Sequence, residues 1–379
     1  MRRSVTEGFV PPGAPGEPRP GARAGSSATL ASAPRIGGLD LARGLAVLGM
    51  VAAHVGNDGK RATLTGEWSW LWVSHGVPSA LFAILAGVSM TLMLTARGTV
   101  AWESVGRERL RATRIRIAAR AAILIPLGYA LSGLGTPVVV ILANLGVMFL
   151  LALPLLKAPT WLLATLGGLC VAVGGWAARG LAEVMPDLPV IDMLWGEHYP
   201  AIAWMGYICA GLIVGRLSMA SLRTVWMLLA AGLGALVVAN RLLQLGRWEG
   251  WDMSGPWMDQ EPHSYSPVEM LSNLGVGLGV IALCLVIAYP GHGTVGRVLR
   301  AATWPVAAVG TMALTAYVAH LLVIALVGYE MVWEPTNQAL VALWLALIAA
   351  CSLWRWRLGA GPLERVLTIA SAAAARRWA

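Results

Sequence analysis

From Ile36 onward the chain returns repeatedly to apolar runs, most of them near 20 residues long, with polar loops between. About 20 apolar residues are what an α-helix needs to cross the hydrocarbon core of a bilayer. Runs at about 36–56, 70–95, 121–134, 136–155, 159–178, 199–215, 222–241, 267–289, 303–328 and 337–354 predict about ten spans. The fold class expected is therefore all-α, a polytopic transmembrane helical bundle. Composition agrees: 57% of residues are hydrophobic, 12% are charged and the mean hydropathy is +0.68. Soluble domains carry roughly 25% charged residues.

Three segments follow. Residues 1–35 are rich in Pro, Gly, Ala and Ser without periodicity and read as a disordered cytoplasmic tail. No apolar run follows Arg2 and Arg3, so this is not a signal peptide. Residues 36–367 form the transmembrane domain, and 368–379 a short basic tail.

The net charge of +9 does not point to nucleic acid. The basic residues cluster at span ends, where orientation and lipid headgroups account for them. With the N-terminus inside, 22 of the 28 Lys and Arg residues fall in inside segments and 5 in outside loops, Arg43 alone lying within a span. Both termini are expected in the cytoplasm. Only Lys60 and Lys157 are lysines, and that bias with abundant Ala, Gly and Val suits a high-GC bacterial genome, hence a bacterial cytoplasmic membrane. Cys170, Cys209, Cys284 and Cys351 lie in apolar runs without a CxxC pair and read as small buried residues.

The first run, IGGLDLARGLAVLGMVAAHVG, carries an acid, a base and an imidazole. Asp40, Arg43, Val47, Met50 and His54 are spaced 3, 4, 3 and 4 apart and share one helical stripe. Arg43 and His54 stand about 16 Å apart along it. Ionisable groups inside a span cost roughly 2.5 kcal/mol or more each unless they face protein or a wet cavity, so this stripe is expected to face a working interior. The orientation places His54, His75, His198, His263 and His320 toward the outside, with Asn240, Glu269 and Asn273 in outer halves of their spans and Asn144 near mid-depth.

The stretch LDLARGLAVLGMVAAH resembles the opening helix of the transmembrane acyltransferase superfamily. Later segments extend the likeness: SALFAILAGVSMTLM, NLGVMFLLALPLL, YPAIAWMGYICAGLIVGRL, PHSYSPVEMLSNLGVGL, MALTAYVAHLLVIAL and GPLERVL. They are similar to bacterial heparan-α-glucosaminide N-acetyltransferase-like and YeiB-like membrane proteins, over Arg35 to about Leu367. The resemblance implies acyl transfer across the membrane, from cytoplasmic acetyl-CoA or another acyl-CoA to a hydroxyl or amine of an outer glycan or cell-envelope acceptor. Arg43 and His54 look like the Arg and His of the type 3 motif. The animal N-acetyltransferases have an Asn where His54 falls and an active histidine about a dozen residues later. Here the nearest downstream histidine is His75, so either His54 or His75 carries the chemistry.

On that reading His54 is the general base, a neutral imidazole suited to taking the acceptor's proton. Arg43 holds a phosphate or the thioester end of the donor, and Asp40 orients its guanidinium. Arg114, Arg116 and Arg120 are candidates for the donor phosphates. His75, His263, Ser264, Tyr317 and His320 are candidates for the acceptor side, each with a packing or loop-ordering alternative. Membrane lipids and the acceptor are the expected partners, with a second copy of the chain a further candidate.

No GxSxG, Walker A or HExxH motif is present, and the histidines show no HxH or HxxxH spacing, so no metal is expected. The rival class is a transporter or permease using Asp40, Arg43, Glu269 and His320 as a proton route, against which stands the lack of a clear internal repeat. GxxxG at Gly275 and Gly279 reads as close helix packing. A non-catalytic membrane partner is the third option.

Overall fold

The structure, a computed structural model, describes residues 36–59, 68–185, 188 and 190–378. The expected disordered tail at 1–35, and Lys60 and Arg61 of the first loop expected outside, lie outside the described residues. In chain order the α-helices are α1 (Gly37–Val55), α2 (Val77–Leu94), α3 (Arg107–Ser132), α4 (Leu142–Ala152), α5 (Thr160–Ala182), α6 (Ala201–Val214) and α7 (Leu222–Glu249). They continue as α8 (Pro267–Ile287), α9 (Gly293–Thr311), α10 (Ala313–Val327), α11 (Glu330–Trp333), α12 (Asn337–Leu358) and α13 (Pro362–Trp378). No strand occurs among the described residues.

Helix boundaries follow local chemistry. Ser266 caps α8 by accepting from the Glu269 amide at 3.1 Å, with Pro267 at the first helical position. Thr336 caps α12 in the same way, through the Ala339 amide. Gly250 ends α7 in the left-handed region at φ +71°, where a side chain would be strained.

Every expected apolar run is helical, but two are too short to cross a bilayer alone. Seven helical stretches have the length and apolarity for a span, and the α9–α10 pair makes an eighth if its halves count as one. α4, with 11 residues, and α6, with 14, are the short ones. Pro137 and Pro154 interrupt the run around α4, and Pro200 and Gly215 bound α6. Most side chains of both are buried, and non-helical backbone at membrane depth is tolerated where protein surrounds it. The arginine-rich stretch from Arg107 and the run expected as a span at 121–134 are one helix, α3. Nothing between Arg107 and Ile125 breaks a helix, and Pro126 sits inside it.

α1 is the central element. In its apolar window 72% of residues are buried, against 22–33% for α3, α5, α7 and α12, which leaves those four at the lipid-facing rim. α1 packs on α9, α2, α8 and α12. It approaches α9 backbone to backbone: a Cβ at Gly44 would overlap the Val306 carbonyl, and one at Gly310 the Asp40 carbonyl. Gly87 of α2 and Gly211 of α6 make a second such crossing. Small residues let membrane helices meet in this way when no hydrophobic force drives them together. Of the GxxxG pair, Gly275 touches Gly232 and Leu236, while Gly279 faces open space.

The run expected as one span at 303–328 is broken, with α9 and α10 meeting at 76°. The break exposes the N-terminus of α10, and Glu364 of α13 covers it. Its carboxylate accepts from the amides of Leu314 (2.8 Å) and Thr315 (3.1 Å) and from the Thr315 hydroxyl (2.6 Å). A carboxylate at a helix N-terminus satisfies amides that have no helical partner and opposes the positive end of the dipole.

Candidate functional site

Two cavities lie end to end along α1. The first, about 430 Å³, is lined by Asp40, Arg43, Ser89, Arg97, Arg120 and Glu364 between walls of Leu, Phe and Met side chains. The second, about 180 Å³, is lined by His54, His75, Ser79, Tyr199, His263 and Tyr317. What separates them is thin. Phe82 and Ser79 of α2 line the first and second respectively, as do Leu142 and Val139, and Leu314 and Tyr317 of α10. On the helices α2 and α10 three residues is less than one turn, about 5 Å of rise. On α1 the nearest lining residues, Arg43 and Met50, are seven apart, about 10 Å.

At the Arg43 end, Arg43 Nη1 donates to Asp40 Oδ1 at 2.5 Å, and Nη2 to Ser89 Oγ at 3.3 Å. This is the i,i+3 orientation expected from the stripe. Glu364 is engaged at the start of α10. Both lining carboxylates are thus committed, while three guanidinium groups line the space. Arg120 Nε is buried without a hydrogen-bond partner. The cavity carries an excess positive charge between apolar walls, which fits an anion with an apolar arm. Arg114 is elsewhere. Its Nε donates to the Leu153 carbonyl at 3.0 Å, and it lines a groove with Arg107, Arg111 and Trp378. Arg116 is exposed and lines neither cavity.

At the other end, His54 Nδ1 and His320 Nε2 are 3.1 Å apart, with the rings stacked at 5.3 Å between centroids and 15° between planes. His75 Nε2 lies 3.1 Å from Asp58 Oδ2. Tyr317 stands edge-on to His320 at 5.0 Å and accepts at its hydroxyl from the Ile141 amide at 3.4 Å.

The His263 wall is a loop under backbone strain. His263 and Tyr265 adopt φ of +67° and +51°, and Tyr199, edge-on to His263 at 5.2 Å, +55°. Glu269, in the first turn of α8, holds this geometry. Its carboxylate accepts from the amides of His263 (3.1 Å) and Tyr265 (2.6 Å), from Ser264 Oγ (3.1 Å) and from Asn273 Nδ2 (3.3 Å). The Tyr265 hydroxyl accepts from the Tyr199 amide at 2.9 Å and meets His263 Nδ1 at 3.1 Å. Asn144 donates to the His198 and Tyr199 carbonyls, fastening α4 to the same loop. Ser264 turns into this network, away from the cavity, so its place is in ordering the loop. Tyr199, Ser79 and Glu364 line the cavities although the sequence alone singled out none of them. Each depends on a distant segment for its place.

Burial pulls His263 down to about 4, with nearby His198 and His75 adding to the effect. The free imidazole titrates near 6.5. Between pH 6.5 and 4 the unfolded chain binds a proton that the folded one does not, so stability from this group is present above 6.5 and is lost as pH falls toward 4. Acidification through that window is expected to lower the thermal midpoint of the wild type more than that of His263→Asn, measured by intrinsic tryptophan fluorescence in detergent. Equal slopes would show that His263 does not titrate there.

Among the described residues no three His, Cys, Asp or Glu side chains group as metal ligands. The family model described as heparan-alpha-glucosaminide N-acetyltransferase, catalytic, matches residues 35–249. A second, described as protein of unknown function (DUF418), matches residues 212–372. No curated protein matches the chain. The first match contains Arg43, His54 and His75, and the second His263, Tyr317, His320 and Glu364, so both cavities are built from the two matched regions together.

Proposed function

The chain belongs to the heparan-alpha-glucosaminide N-acetyltransferase catalytic family, a membrane acyltransferase family, and from that we propose that it carries an acyl group from cytoplasmic acyl-CoA to an acceptor on the outer side. The donor is acetyl-CoA or another acyl-CoA. The acceptor is a hydroxyl or amine of a glycan or cell-envelope molecule, and the membrane is the bacterial cytoplasmic membrane. The observation that carries this reading is the stacking of a cationic cavity and an imidazole-lined cavity on one helix, with a septum thin enough for a flexible thioester arm to bridge.

Arg120 and Arg97 take the donor's phosphates, and the apolar walls take its arm. Arg43, held by Asp40, sits deeper along α1. The acceptor enters the His54 cavity. As its O–H or N–H attacks the acyl carbonyl carbon, the proton passes to the His54 imidazole, the C–S bond breaks, and the imidazolium returns a proton to the departing thiolate. The products are the acylated acceptor and free CoA thiol. His75, paired with Asp58 on the same cavity, is the alternative base.

Proteoliposomes loaded with radioactive acetyl-CoA test this. Label is expected to move to an acceptor on the far side with stoichiometric thiol release, whereas a permease would move solute with no donor present. Arg120→Ala is expected to raise KM for acetyl-CoA about 10- to 100-fold with little change in kcat, the loss of one charge-assisted phosphate contact. An unchanged KM would take Arg120 out of the donor site.

A further inference from the structure

The opening turns of α3 carry Arg107, Arg111 and Arg114. Spacings of four and three put them on one helical face, about 10 Å from first to last. α13, from the far end of the chain, packs on α3 and brings Trp378 to this face. With Leu110 and Ile115 these residues form an open groove of about 630 Å³. Arg377 stacks over the Trp378 ring at 5.3 Å from its centroid, so a fourth guanidinium stands beside it. No carboxylate lines the groove, and neither Arg107 nor Arg111 has a hydrogen bond or ion pair with a described residue. Arg114 is held through Nε, which donates to the Leu153 carbonyl at 3.0 Å, and its two Nη groups make no hydrogen bond to a described residue. Like charges one turn apart repel unless an anion lies among them, and planar guanidinium groups match phosphate oxygens.

The place of the groove decides which phosphate. α3 is a rim helix, with 28% of its apolar window buried. From Ile117 to Leu131 it carries no charge but Arg120, so the arginine row stands at headgroup level and the helix beyond it offers an apolar surface to acyl chains. Trp378, 62% exposed, suits the same depth. The groove shares no lining residue with the Arg43 cavity, which separates it from the proposed donor site. A zwitterionic headgroup would find no acid here for its ammonium. We propose that this groove binds the phosphodiester of an anionic phospholipid, with Arg107, Arg111 and Arg114 on its oxygens and its chains along α3. Arg114, expected from the sequence at the donor's phosphates, holds a lipid phosphate instead. Nothing in this assignment depends on the acyl-transfer reading.

The test uses the full chain, purified in detergent and stripped of lipid, with phosphatidylglycerol and phosphatidylcholine of matched chains as probes. Bound lipid is counted by native mass spectrometry across a titration. The wild type is expected to bind phosphatidylglycerol about 10-fold or more tighter than phosphatidylcholine. Arg107→Gln/Arg111→Gln is expected to lose about 10- to 30-fold of the phosphatidylglycerol affinity, roughly fivefold for each arginine, with phosphatidylcholine binding unchanged. Both side chains are exposed, and Arg114 is kept because it ties α3 to Leu153. Arg111→Gln alone, with about a fivefold loss, carries the test if the double variant unfolds. Arg116→Gln/Arg223→Gln removes two exposed charges outside the groove and is expected to bind as the wild type does. Equal losses in the two double variants would overturn the proposal, leaving an effect of net charge. A wild type that does not distinguish the two lipids would overturn it as well. Saturating acetyl-CoA or pyrophosphate is expected to leave the count of bound phosphatidylglycerol unchanged. Displacement by either would give the groove to a soluble phosphate and overturn the lipid assignment.

Discussion

Proteoliposomes carrying His54→Ala are expected to transfer label from acetyl-CoA about 100- to 10,000-fold more slowly than wild type, the range a positioned general base supplies. KM for the donor should hardly move, because His54 lies some 16 Å along α1 from Arg43, in the other cavity. Arg43→Ala should do the opposite in part, weakening the donor as well as slowing turnover. The decisive comparison is with His75→Ala. His75 shares the cavity, and its bond to Asp58 gives it the carboxylate partner that a base often has. A loss concentrated in His54→Ala assigns the proton to His54. A loss concentrated in His75→Ala moves the base to the Asp58–His75 pair.

The second large effect is structural. Gly310→Leu is expected to abolish folding, and Gly310→Ala to destabilise at or beyond the top of the roughly 1–3 kcal/mol range for overpacked cores. The reason is that what a new Cβ meets is no side chain tip that could swing away. It is the carbonyl of Asp40, part of the helix that carries Arg43. α1 and α9 would have to separate along their whole crossing, moving the Asp40–Arg43 pair away from Ser89. Thermal unfolding in detergent, followed by the yield of monodisperse protein, measures this. A control at Gly279, where nothing lies within 4 Å, should accept alanine freely. If Gly310→Ala and Gly279→Ala behave alike, close backbone contact is not what holds α1 against α9.

Much of the architecture is legible in the residues alone. Hydropathy depends only on neighbouring side chains, so each apolar run from Ile36 to Trp354 reads as helix without reference to any other. The Asp40–Arg43 pair is equally local. A spacing of three on a helix brings carboxylate and guanidinium into reach whatever surrounds them, and the structure has them bonded. Single runs also mislead where a break is imposed from outside. The segment at 303–328 has no internal signal for a 76° bend between Thr311 and Ala313; the bend is supported by Glu364, some 50 positions later. The short α4 and α6 likewise read as spans by apolarity, and only their enclosure by other helices lets them end early.

What the amino-acid order determined by itself was the solvent this protein folds in, the helical character of its runs and the charged stripe on the first of them. Tertiary structure alone decided that the stripe opens into two cavities instead of one channel, and that His54 meets His320, a residue 266 positions away. The physical reason is the range of the forces involved. Helix formation and membrane insertion are settled within about 20 residues. Which helix faces which depends on backbone contacts such as Gly44 with Val306 and Gly310 with Asp40, and these pair positions that nothing in a single sequence links.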